Sequence, residues 1–70
     1  MVKLYIKKDG NRLYIKDIDY ANTKLTFTDD KGKATTFRDG YYVKPTIDMI
    51  KRGFKEDYPE VETLEYTCDY

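Results

Sequence analysis

Histidine, serine, tryptophan and glutamine are absent from this chain, and cysteine occurs once. Without histidine or serine there can be no Ser-His triad, no Cys-His pair and no imidazole base. The single thiol, Cys68, stands among Glu65 and Asp69, a negative neighbourhood that disfavours a reactive thiolate. A zinc site needs about four Cys, His or carboxylate ligands, and Asp29-Asp30 lacks the spacing and distal glutamate of a calcium loop. The glycines, Gly10, Gly32, Gly40 and Gly53, are dispersed along the chain and not gathered into a phosphate-cradling loop. No catalytic residue, cofactor or metal ligand is expected, and the chain reads as a non-enzyme.

A lone cysteine also rules out an internal disulfide, which suits a reducing compartment. The opening MVKLYIKKDG has no apolar run of signal-peptide length. No segment approaches the roughly 20 apolar residues of a membrane span. A cytoplasmic location away from membranes is the expectation.

Seventy residues make one small globular domain, 1–70, near the lower limit for a self-sufficient core, since such chains bury only about 60% of the surface they expose when unfolded. Thirteen basic side chains balance thirteen acidic ones. The balance hides an asymmetry. Residues 1–16 carry five basic groups against Asp9, and residues 55–70 carry six acidic groups against Lys55. Ends of opposite charge can mark a partner-binding site, but more often they lie side by side and neutralise each other.

The stretch KLYIKKDGNRLYIK, Lys3 to Lys16, writes LYIK twice around Asp9-Gly10. Asp-Gly favours a two-residue type I′ turn, whose twist matches the strands it joins. Tyr5 then faces Tyr14, Ile6 faces Leu13 and Leu4 faces Ile15. Side chains alternate between faces of a strand, so Leu4, Ile6, Leu13 and Ile15 form an apolar face. Lys3, Tyr5, Lys7, Arg12, Tyr14 and Lys16 form the opposite face, which is basic and carries tyrosine.

Asp17 to Thr23 reads as a polar connector with Asn22 as its turn residue, because Asn tolerates left-handed backbone angles. Lys24 to Thr28 and Ala34 to Arg38 read as a second hairpin closed by DDKGK, with Gly32 forming a bulge. That register sets Leu25 against Phe37 and Thr26 against Thr36. It leaves Lys24, Thr26, Thr28, Ala34, Thr36 and Arg38 on a solvated outer face.

Asp39-Gly40 signals another turn, followed by a short extended piece, Tyr41 to Val43, that stops at Pro45. Thr46 is the expected helix N-cap with Asp48 in the first turn. Ile47, Ile50, Phe54 and Tyr58 recur at spacings of three and four and form the stripe to be laid on the sheet. Gly53 costs about 1 kcal/mol inside a helix and could end it in a left-handed cap. Phe54 extends the stripe, however, and Pro59 supplies a later stop, so the helix is expected to run to about Asp57. The alternation in VETLEYTCDY predicts a closing strand that can set Glu65 opposite Lys3 or Lys7. The expected fold is α+β, an antiparallel sheet of about four to five strands in ββββαβ order with one helix on one face.

Two functions of different class fit these residues. One is a non-catalytic protein-interaction module, a small inhibitor or adaptor, and size alone suggests one of mobile-element (phage) origin. Eight tyrosines exceed what a small core can hold, and tyrosine is enriched where proteins meet. Tyr5, Tyr14, Tyr41 and Tyr42 are the candidates, with open sheet edges as a second route and a homo-oligomer among the outcomes. The other is single-stranded nucleic-acid binding, with Tyr5 and Tyr14 stacking on bases while Lys3, Lys7, Arg12 and Lys16 follow the phosphates. A ββββα order occurs in one class of single-strand-binding domain, an analogy of topology alone. Zero net charge counts against it, and a plain solvated sheet face accounts for the same residues. The position of the acidic C-terminal segment decides whether the basic face is answered internally.

Overall fold

The computed structural model describes residues 1–68. Four antiparallel strands form one sheet: β1 (Val2–Lys8), β2 (Asn11–Asp19), β3 (Lys24–Thr28) and β4 (Glu65–Cys68), in the order β3-β2-β1-β4. A single α-helix, α1 (Val43–Phe54), precedes β4 in the chain. This is a small α+β fold.

The first hairpin takes the predicted register. Tyr5 pairs with Tyr14, Ile6 with Leu13 and Lys7 with Arg12. Asp9 and Gly10 both have positive φ, 54° and 82°, as a type I′ turn requires. Leu4, Ile6 and Ile15 are buried on one face, where Ile50 and Phe54 of α1 join them in the core. Ile47 and Tyr58, the ends of the predicted helical stripe, pack against the same cluster.

β2 runs farther than predicted and takes in Asp17 to Asp19, the first three residues of the predicted polar connector. Ile15 pairs with Phe27 and Ile18 with Leu25, with a register shift between Ile15 and Asp17. Two isoleucines three positions apart would face opposite ways in a regular strand. The extra residue, Lys16, restores both to the core side. In the β2–β3 turn the left-handed residue is Thr23, φ 51°, and not Asn22. Asn22 instead donates its backbone and side-chain N–H groups to the Asp19 carboxylate, at 3.2 and 2.8 Å.

The predicted second hairpin does not form. After β3 the Asp30 carboxylate accepts a hydrogen bond from the Gly32 N–H at 2.9 Å, and Lys31–Lys33 coil into one 3-10 turn. Phe37 then pairs with Val2, not Leu25. It donates to the Val2 carbonyl at 2.7 Å and accepts from the Val2 N–H at 2.9 Å, while Thr35 donates to the Ile15 carbonyl at 3.0 Å. The ladder between β1 and β2 ends at Tyr5 and Tyr14. Residues 35–37 are thus stitched to both strands of the first hairpin beyond the point where their ladder stops. Phe37 is still packed against the core, from a different direction.

The helix begins earlier and ends earlier than expected. Tyr42 is its N-cap residue and makes no side-chain cap bond, and Thr46 lies inside the first turn. Pro45 is the third helical residue, where the missing N–H would have had no partner within the helix. Tyr41 and Tyr42 belong to a 3-10 turn, Gly40–Tyr42, not an extended piece. The helix passes through Gly53 and stops at Phe54, whose carbonyl accepts the Tyr58 N–H at 2.8 Å. A 3-10 segment, Pro59–Thr63, buries Val61 before β4 begins. The last two residues of the predicted closing strand, Asp69 and Tyr70, lie outside the described residues. Among the described residues no helix is long and apolar enough to cross a membrane.

Candidate functional site

The eight residues singled out from the sequence fall into two groups. Lys3, Tyr5 and Tyr14 are enclosed, with relative exposures of 6%, 4% and 7%. Lys7, Arg12, Lys16, Tyr41 and Tyr42 are exposed. Hairpin alternation puts the first three on the predicted face, but the segment after β3 closes over part of it. The Lys3 ammonium donates to the Lys31 carbonyl, which fixes the 3-10 turn above that face.

Around the tyrosines the contacts are specific. The Tyr5 and Tyr14 rings lie 5.8 Å apart at 58°, a tilted cross-strand pair. The Arg12 guanidinium stands 4.3 Å over the Tyr5 ring, within cation–π range. β4 pairs with β1 so that Glu65 is opposite Tyr5, and Thr67, not Glu65, is opposite Lys3. The Tyr5 hydroxyl donates to a Glu65 oxygen at 2.8 Å. That bond, and secondarily burial, raises the Tyr5 pKa above 10.0 against the opposing pull of Arg12. Tyr5 is therefore a neutral donor at physiological pH, and the network holds the sheet together without supplying a base. An acidic side chain from the C-terminal segment does answer the tyrosine face. Base stacking on Tyr5 or Tyr14 would require these enclosed rings to be uncovered.

Exposed aromatic surface lies elsewhere, at the start of α1. Tyr41 is 87% exposed. Its ring meets that of Tyr42 edge-on, with centroids 5.9 Å apart and an interplanar angle of 84°. The Arg38 guanidinium sits 4.8 Å over the Tyr42 ring. Gly40 opens the 3-10 turn that carries these tyrosines with φ 69°, a left-handed angle at which a side chain would be strained. Arg38 was missed because the hairpin reading made it one more solvated strand residue. Its nearness to Tyr42, four positions on, is the signal that could have found it.

A groove of about 580 Å³ starts at Gly40 and runs between α1 and β4. Nothing in the sequence marked it, because its walls come from the helix and from a strand some twenty residues later. Among the described residues no group of three or more Cys, His, Asp or Glu side chains could hold a metal ion. Comparison with family models, with curated proteins and with solved structures finds no match.

Proposed function

We propose that this protein is a non-catalytic protein-interaction module, a small cytoplasmic inhibitor or adaptor, and that Arg38, Tyr41 and Tyr42 form the centre of its contact surface. The observation that carries this reading is the exposure of Tyr41, 87%, within a cluster whose other members are Tyr42 and Arg38. Tyrosine and arginine are among the residues that dominate binding energy where proteins meet. Each member here is held by its neighbour, so ordering the side chains on binding costs less than for isolated ones. Burying one tyrosine ring removes enough apolar surface from water to contribute on the order of 2 kcal/mol.

The test uses immobilised wild-type protein and the double variant Tyr41→Ala/Tyr42→Ala in a lysate of the source cells. A protein retained by the wild type and released by the variant is then purified and titrated against both. At least about thirtyfold weaker binding by the variant is expected, the effect of losing a hot spot worth about 2 kcal/mol. Equal affinity overturns the choice of surface. Retention of single-stranded nucleic acid that weakens steeply with salt would replace a protein partner with a nucleic acid one.

A further inference from the structure

The β4 edge of the sheet has a groove beside it. Val2 directs both its N–H and its C=O at Phe37, away from β4. Backbone groups alternate sides along a strand, so Lys3 and Tyr5 turn theirs toward Thr67 and Glu65, their partners in β4. By the same alternation Tyr66 and Cys68 turn their backbone groups outward, at the open edge. The Tyr66 side chain lies on the helix face, as its pairing with Leu4 requires, and is 52% exposed. With Val43, Ile47 and Leu64 it makes the apolar part of the groove, and Lys44 and Lys51 stand on the helix wall with Asp48 between them. Among the described residues neither lysine is in an ion pair. Glu65 borders the groove, but its pairing with Tyr5 puts its side chain on the other face of the sheet, where the carboxylate accepts the Tyr5 hydroxyl.

From this arrangement we infer that the groove receives an extended segment of a partner protein, added as a strand beside β4, with apolar and acidic side chains on its inward face. The inference rests on the reading of the protein as an interaction module and names the chemistry of what it binds. Strand addition takes its affinity from main-chain hydrogen bonds and its selectivity from alternate side chains. Apolar side chains fill the space over Ile47 and Leu64, and carboxylates meet Lys44 and Lys51. A second copy fits less well. Two β4 strands paired about a two-fold axis would bring the same lysines of both helices to one seam, and like charges brought together are disfavoured.

Random dodecapeptides displayed on phage are selected on the immobilised protein, and the peptides recovered are synthesised and titrated by fluorescence anisotropy. Acidic peptides with interspersed apolar residues are expected, binding at least tenfold more weakly to Lys44→Glu/Lys51→Glu. N-methylation of alternate peptide amides should abolish binding in one register and spare it in the other, a readout that does not depend on altering the protein. Failure to recover any peptide, equal binding to the lysine variant, or tolerance of methylation in both registers overturns the inference. So does a wild-type dimer in sedimentation equilibrium that Tyr66→Lys dissociates, since the groove is then filled by a second copy. If these tests fail while Tyr41→Ala/Tyr42→Ala still releases the lysate protein, the interaction module stands without strand addition. If the peptides behave as expected and that variant retains its partner, the groove stands and the tyrosine patch falls.

Discussion

Leu4 and Tyr5 are neighbours in β1 and both are buried, yet they are buried by different means. Leu4 faces α1 and packs with Ile50 and Phe54, a contact between regular elements that apolar periodicity advertises. Tyr5 faces the other way, into a set of single polar contacts: a hydroxyl on Glu65, a guanidinium over the ring, and a lysine nearby in β1 bound to a backbone carbonyl. One side of the sheet is closed by area and the other by partners. A lysine or tyrosine in a strand therefore does not show which face meets solvent.

That difference decides what could be read in advance. The first hairpin was legible because Asp9-Gly10 fixes its register locally, and the stripe in α1 because Ile50 and Phe54 sit one turn apart. The charge asymmetry of the two ends also carried information, since β1 and β4 are paired. What pairs with Phe37 was not legible. Leu25 and Val2 are both apolar, and choosing between them needs the long-range fact that the β1–β2 ladder stops at Tyr5 and Tyr14. The enclosure of Lys3, a candidate contact residue, was not legible either, because its ammonium donates to the Lys31 carbonyl, and a carbonyl leaves no mark in the side-chain pattern. Of the candidate surface, Tyr41 and Tyr42 were named beforehand, while Arg38 and the groove beside β4 depend on how distant segments meet.

The contrast between the two faces can be broken or sharpened by substitution. The largest effect is expected on the helix side, where Phe54→Ala removes a fully buried ring and should cost about 3–5 kcal/mol. Urea unfolding measures it, and a chain of this size should be largely unfolded at 37 °C. Tyr14→Ala tests the other side. An enclosed ring predicts a loss of about 2–3 kcal/mol, whereas a solvated face would keep the change within about 0.5 kcal/mol. The smaller value would return this face to solvent and erase the contrast.

Tyr5→Phe keeps the ring and removes the hydroxyl bonded to Glu65, for an expected loss of about 1 kcal/mol near neutral pH. It should also change the alkaline limb of stability. The folded-state pKa of Tyr5 is raised above 10.0, first by the Glu65 hydrogen bond and then by burial, so the folded protein holds this proton more tightly than the unfolded chain does. Its contribution is complete below pH 10.0 and is lost as pH rises through the folded value. Unfolding midpoints measured from pH 8 to 11 should fall less steeply for Tyr5→Phe than for the wild type. Parallel profiles would mean that the hydroxyl is equally free in both states.

Glu65→Gln is the smallest change and the one that divides charge from contact. The amide oxygen can still accept the Tyr5 hydroxyl, so stability at neutral pH should move by no more than about 0.5 kcal/mol. A carboxylate beside an ionising phenol opposes the second negative charge, and an amide does not. The alkaline loss should therefore shrink in Glu65→Gln even though the neutral midpoint barely moves. If midpoint and profile both match those of Tyr5→Phe, the hydrogen bond has been broken and charge plays no separate part. If the midpoint holds and the profile flattens, the carboxylate charge keeps Tyr5 protonated, and the second face of the sheet is held by electrostatics where the first is held by packing.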